Sequence, residues 1–242
     1  MKSQSSTFIT HLEALRICII RCGIFYFITF GICLYFKNIL FEWLASPLLL
    51  NIAQHSQLIA TNILSPILTP IMFCFYLSFL ITIPILFTHL WYFIKPGLTQ
   101  QEKKIIRWLG LPALLLFYCG ITIAYTIFFP IAFYFISHST PQYVMFMPDI
   151  QSFLNFSIQC LVAMGVAFET PIIIFLLVYL KIYEYETLSN NRPVIFVMIL
   201  TIAMLITPPD VISQILIAVP MYLLYEFGLL LTKICHVKHT KS

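Results

Sequence analysis

Five of the nine acidic residues in this 242-residue chain stand where a carboxylate is chemically informative. Glu169, in VAFETPIII, lies deep in an apolar run, where an ionised side chain costs about 3 kcal/mol on insertion scales and more by other measures. Such a group faces a partner, lines a watery cavity or stays protonated. It reads either as a local hydrogen bond to a Ser, Thr or Gln of a neighbouring helix, or as a functional polar or proton-linked contact. Glu102, in KPGLTQQEKK, sits among Lys95, Lys103, Lys104 and Arg107, and Glu13, in HLEALR, lies beside His11 and Arg16. Each reads either as a solvated acid balancing its basic neighbours or as half of a docking site for a basic peptide, because carboxylates pair arginine bidentately. Asp210 in TPPD and Glu226 in LLYEFG mark opposite ends of the last apolar run. Asp210 suits the start of a helix, whose exposed N–H groups favour an acid, and Gln214 follows four residues later on the same face.

Covalent chemistry has no comparable candidate. The chain carries no G-x-S-x-G, H-E-x-x-H or glycine-rich phosphate loop, so no nucleophile and base stand in a recognised pattern. Its seven cysteines form no C-x-x-C pair; Cys18 and Cys22 share a helix face, where a small apolar role outweighs ligation. His236 and His239 in the tail are two ligands at most, and neither a metal nor a cofactor is expected.

The elements that must position these acids follow from composition. Hydrophobic residues make up 61% of the chain and charged residues 9%, with mean hydropathy +0.97, against about 25% charged residues in a soluble domain. The chain is therefore an integral membrane protein, all-α, and about 20 apolar residues make one span. Six spans are expected, at Ile17–Phe36, Pro66–Ile94, Trp108–Ile136, Ile150–Leu180, Pro193–Ile206 and Val211–Leu231, forming a single membrane domain over 1–242. A signal peptide is a poor reading of the first run, which is too long, contains Arg21 and lacks a small-residue cleavage site. With six spans, 12 of the 13 Lys and Arg fall on one side and only Lys37 on the other, so the positive-inside rule puts both termini in the cytoplasm. The net charge of +4 thus reports topology and not nucleic-acid binding.

Span lengths are uneven. The second and third runs are 29 residues each, roughly 43 Å as helix against a hydrocarbon core of about 30 Å. They must tilt, bend or protrude, and Pro70, Pro84, Pro112, Pro130, Pro171 and Pro220 offer the places to bend. The fifth run has 14 residues, roughly 21 Å, and must thin the bilayer or lean on its neighbours. Long bent helices beside a short one predict a cupped molecule. Between the fifth and sixth runs, TPPD reads as stop, turn and restart. The outer segments, with WLASPLLLNIAQ as an interfacial helix, read as ordered caps. No repeat of the inverted-transporter kind is evident.

The series HLEALR, ATNILSP, WYFIKPGLTQQEKK, GITIAYTIFFP, MGVAFETPI and LITPPDVISQILIAVPMYLLYE, in this order from about residue 8 to 231, resembles the TatC family, the receptor subunits of twin-arginine protein translocases. The loop PGL followed by EKK, the intramembrane FETP and TPPD with its trailing SQ, P and YE are specific in combination. The resemblance implies six spans, cytoplasmic termini, a bacterial inner (plasma) membrane or its organellar counterpart, and binding of the paired arginines of signal peptides on folded precursors. It further implies recruitment of the single-span subunits TatA and TatB into a hetero-oligomer with several copies, export driven by the proton motive force, and no enzymatic activity.

By this likeness Glu102 is the principal signal-peptide contact, with Phe93, Pro96 and Leu98 shaping its surroundings and Glu13 and Arg16 completing the site. Glu169, Gln214, Asp210 and Glu226 are the contacts to partner helices, on a wall built largely from spans five and six. The chain departs from the family pattern His-Leu-x-Glu-Leu-Arg at Ala14, which occupies the glutamate position, and at Cys18, which occupies a basic one. Glu13 lies about 100° away round a helix; either a local rotation brings it into place or Glu102 acts largely alone. The rival from another class is a secondary transporter of a small solute in which Glu169 couples protons.

Overall fold

The computed structural model describes residues 2–51, 58–94, 100–138, 147–180, 182–206 and 211–239; side chains are described over the same ranges except 2–14, 51, 90–94, 101–102, 105–106, 206, 212–213 and 235–239. Ten α-helices follow one another among the described residues: α1 (Lys2–Tyr35), α2 (Lys37–Asn51), α3 (Ser65–Ile94), α4 (Gln100–Ile123), α5 (Phe129–His138), α6 (Ile150–Phe168), α7 (Thr170–Tyr179), α8 (Tyr185–Asn190), α9 (Arg192–Ile206) and α10 (Val211–His239). A π-helical turn, Ala124–Phe128, joins α4 to α5.

Among the described residues, five stretches are long and apolar enough to cross a membrane: Leu15–Tyr35, Ser65–His89, Arg107–His138, Ile150–Tyr179 and Gln214–Ile234. The sixth, Arg192–Leu205 in α9, is shorter. All six expected runs are therefore helical, and α9, at 15 residues, is roughly 22 Å long. The third and fourth runs are interrupted, each beside a proline. Pro130 has no N–H to give, and immediately before it the ladder widens, with Phe129 N–H donating to Ala124 O across five residues. At Pro171 the fourth run breaks instead, α6 stopping at Phe168 and α7 starting at Thr170. Of the segment expected as an interfacial helix, Trp43–Asn51 is the latter part of α2, which contains Pro47, and residues 52–54 lie outside the described residues.

By internal contacts the chain divides into two compact units, Met1–Ser46 with Ala60–Trp108 and Pro47–Ile59 with Leu109–Ser242. In the first, α1 lies along α3. Tyr26 packs edge-on against Phe75 at 5.6 Å and donates its hydroxyl to Phe75 O at 3.3 Å. The Cys74 thiol reaches Cys33 O at 3.2 Å, and Cys33, Phe73, Cys74 and Leu80 are buried. Hydroxyls inside a span need a partner, because lipid supplies none. Here Ser78 bonds Cys74 O at 2.6 Å and Thr82 bonds Ser78 O at 2.7 Å, each one turn back along its own helix. The other side of α1, with Ile20, Ile24, Phe27, Ile28 and Ile32, is exposed, as a lipid-facing surface requires.

In the second unit Phe129 and Phe133 of α5 stack towards Phe153 of α6, with ring centroids 5.5 and 5.7 Å apart along the series. α10 packs along α7 and α9, burying Ile174, Ala203, Ile217, Ala218, Tyr225 and Leu229. Two segments outside the spans are joined by a short parallel bridge: Ile59 N–H bonds Pro148 O at 3.0 Å and Ile150 N–H bonds Ile59 O at 2.9 Å. Asp149 caps α6, its carboxylate accepting from Ser152 N–H at 3.0 Å.

Candidate functional site

Glu169 occupies the junction between α6 and α7. Its backbone is still helical, φ −76° and ψ −16°, but its N–H turns to Val166 O at 3.0 Å instead of the carbonyl four residues back. Two residues on, Pro171 is buried and begins the new helix without a donor. The side chain is partly exposed, and among the described residues its carboxylate accepts no hydrogen bond and meets no cation. Of the two readings open from sequence, the local bond to a neighbouring Ser, Thr or Gln does not form within these residues.

The residues expected to hold a basic peptide belong to the first unit. Glu13 lies within α1, which continues unbroken from Lys2 into the first span. Phe93 is in the last turn of α3, and Glu102 is the third residue of α4, where the N-terminal end of the helix dipole favours an acid. The side chains of Glu13, Phe93 and Glu102 are outside the described set, and Pro96 and Leu98 lie outside the described residues altogether. Arg16, Lys104 and Arg107 are exposed.

The residues expected to meet partner helices divide differently. Gln214 donates from Nε2 to Leu200 O at 3.0 Å, tying α10 to α9. Glu226 is engaged inside the chain by a forked pair to Arg192, Nε to Oε1 at 2.8 Å and Nη2 to Oε2 at 3.3 Å, and Tyr222 adds its hydroxyl to Oε1 at 3.0 Å. Phe196 of α9 meets the Tyr222 ring edge-on at 5.3 Å. Tyr225, buried, donates to Leu188 O of α8 at 2.7 Å. Together these contacts bind α8 and the start of α9 to α10. Asp210 lies outside the described residues. Arg192, Tyr222 and Tyr225 were not singled out from the sequence as site residues; a basic residue at a span boundary and a tyrosine four residues before Glu226 are weak signals on their own.

Fold and site together define a multi-pass helical membrane protein whose informative groups are carboxylates at helix starts and breaks. The sequence profile of the family described as Sec-independent protein translocase protein (TatC) matches residues 10–220. The TatC protein of Haemophilus influenzae is 41% identical over 239 residues, covering 99% of this chain and 93% of its own. That of Escherichia coli is 38% identical over 225 residues, covering 93% and 87%. A crystal structure of the twin-arginine translocase receptor TatC superimposes with TM-score 0.79 at 32% identity, covering 93% of this chain and 98% of that one. The chain belongs to the TatC family.

Proposed function

We propose that this chain is the signal-peptide receptor of a twin-arginine translocase, and that it recognises the paired arginines by charge. Family membership carries the reading, and the unit that contains Glu13, Phe93 and Glu102 supports it. α1 packs on α3, and the chain passes from the end of α3 into the first turn of α4 within that one unit. Glu102 pairs an arginine there, Glu13 and Arg16 line the approach, and Phe93, Pro96 and Leu98 shape the surroundings. The surplus of basic residues nearby keeps other cationic peptides away unless an arginine fork meets the carboxylate. Both termini are cytoplasmic, the membrane is the bacterial inner membrane, and folded precursors cross at the expense of the proton motive force.

Partner subunits of the single-span kind, TatA and TatB, dock on the surface of α9 and α10. Gln214 and Glu226 serve that surface by holding the two helices together, Asp210 caps its outer end, and Glu169 supplies the polar contact at depth. The absence of an internal partner for Glu169 among the described residues favours this over a structural bond. A proton-coupled solute carrier would instead show flux in liposomes from this chain alone.

The test is binding of a synthetic twin-arginine signal peptide to the purified chain in nanodiscs. Glu102→Gln is expected to weaken binding by about tenfold or more, since charge-assisted bonds contribute about 1.5–3 kcal/mol. Unchanged affinity would remove Glu102 from the site. Glu169→Ala is expected to abolish crosslinking to the single-span subunits while leaving peptide affinity intact; retained crosslinking would end its assigned role.

A further inference from the structure

We infer that Gly120 and Gly228 are positioning residues that fix where Glu169 presents its carboxylate, by letting α4 and α10 close onto the helix break from either side of it. The inference rests on the reading of Glu169 as a partner contact and adds the residues that set its geometry. At the break the backbone ladder is thinned: Pro171 donates nothing and Glu169 N–H is diverted to Val166 O, which leaves the bonds of Ile172 N–H and Ile173 N–H to Glu169 O, 3.0 Å each, to carry the join. Packing from outside adds the restraint that the missing rung would have supplied.

The outside contacts are unusually close, and they fall on the residues flanking Glu169. A methyl group at Gly120 in α4 would lie 2.6 Å from Met164 O and 2.9 Å from the Phe168 ring, at the end of α6. A methyl at Gly228 in α10 would lie 2.8 Å from Ile174 Cδ1 and 2.9 Å from Pro171 Cα, at the start of α7. Each close approach includes a backbone atom, which no rotamer change relieves. One glycine therefore seats the last turn before the break and the other the first turn after it. Glu169 lies between the two seats, one residue after Phe168 and two before Pro171, so the packing of both turns sets the backbone from which its side chain projects. Close helix approach through glycine is a main source of packing in lipid, where the hydrophobic effect does not drive helices together. Gly23 and Gly31 in α1 supply the contrast, with open space where a methyl would go.

The experiment uses the full chain, freed of native cysteines, in nanodiscs, with spin labels at Gln151 and Tyr179 to report the angle between α6 and α7. Gly228→Ala and Gly120→Ala are each expected to shift or broaden the distance distribution, and Gly23→Ala and Gly31→Ala to leave it unchanged. Phe168→Ala, which empties a seat instead of overfilling it, is expected to broaden the distribution and serves if an alanine variant fails to insert. Distributions matching the parent in the folded variants would overturn the inference. A photoprobe at exposed Ile173 then reads partner contact, which is expected to fall in the same variants. The underlying reading has its own failure: Glu169→Ala leaving that crosslink unchanged with both glycines intact.

Discussion

At the scale of single residues, the proposed pairing of arginines by Glu102 leaves one question at Glu13, which is offset by one position from Ala14. Both lie in one continuous helix, so one position corresponds to about 100° of rotation, enough to point a carboxylate at a different neighbour. Glu13→Ala is expected to weaken twin-arginine peptide binding by less than Glu102→Gln does, and Ala14→Glu to strengthen it. Equal binding by parent, Glu13→Ala and Ala14→Glu would leave Glu102 acting alone. Glu169 was legible in the sequence because an acid in an apolar run has few explanations. The Arg192–Glu226 pairing was not, since its members are 34 residues apart and nothing in the sequence singles out Arg192 as the partner of Glu226. Close-approach glycines were equally hidden: Gly23 and Gly120 look alike until the neighbouring backbone is in view.

At the scale of elements, six apolar runs and the shortness of the fifth were readable from length and hydropathy alone. Which prolines interrupt a helix was not. Pro70, Pro84, Pro112 and Pro220 lie inside continuous helices, whereas Pro171 accompanies a break and Pro130 a π-helical turn. A proline's effect depends on whether nearby hydroxyls and neighbouring helices take up the groups it leaves unpaired, and that is a tertiary property. The attachment of α8 and α9 to α10 belongs to this scale as well. Tyr225→Phe removes a buried hydroxyl bonded to Leu188 O and is expected to lower stability by about 1 kcal/mol, read as a lower melting temperature in detergent. The same variant is expected to leave signal-peptide affinity unchanged, because Glu102 belongs to the other compact unit. A melting temperature equal to the parent's would show that the bond contributes nothing to holding α8.

At the scale of the whole molecule, the distribution of basic residues predicts sidedness. Single cysteines replacing exposed Lys104 and Glu186 are expected to react with a membrane-impermeant maleimide only from the cytoplasmic face, and one replacing Met147 only from the opposite face. Labelling of all three from one face would break the six-span topology. Membership of the TatC family was legible because several short motifs kept their order over nearly the whole chain; the resemblance covered about residues 8 to 231, and the family profile matches 10–220. The most direct measurement is photocrosslinking from a probe at Lys103, beside Glu102, to a precursor bearing twin arginines and to the same precursor bearing twin lysines. The receptor reading predicts a crosslink to the arginine precursor that is lost with lysines and lost again in Glu102→Gln. Equal crosslinking of both precursors, or none to either from the inserted and folded chain, would contradict it.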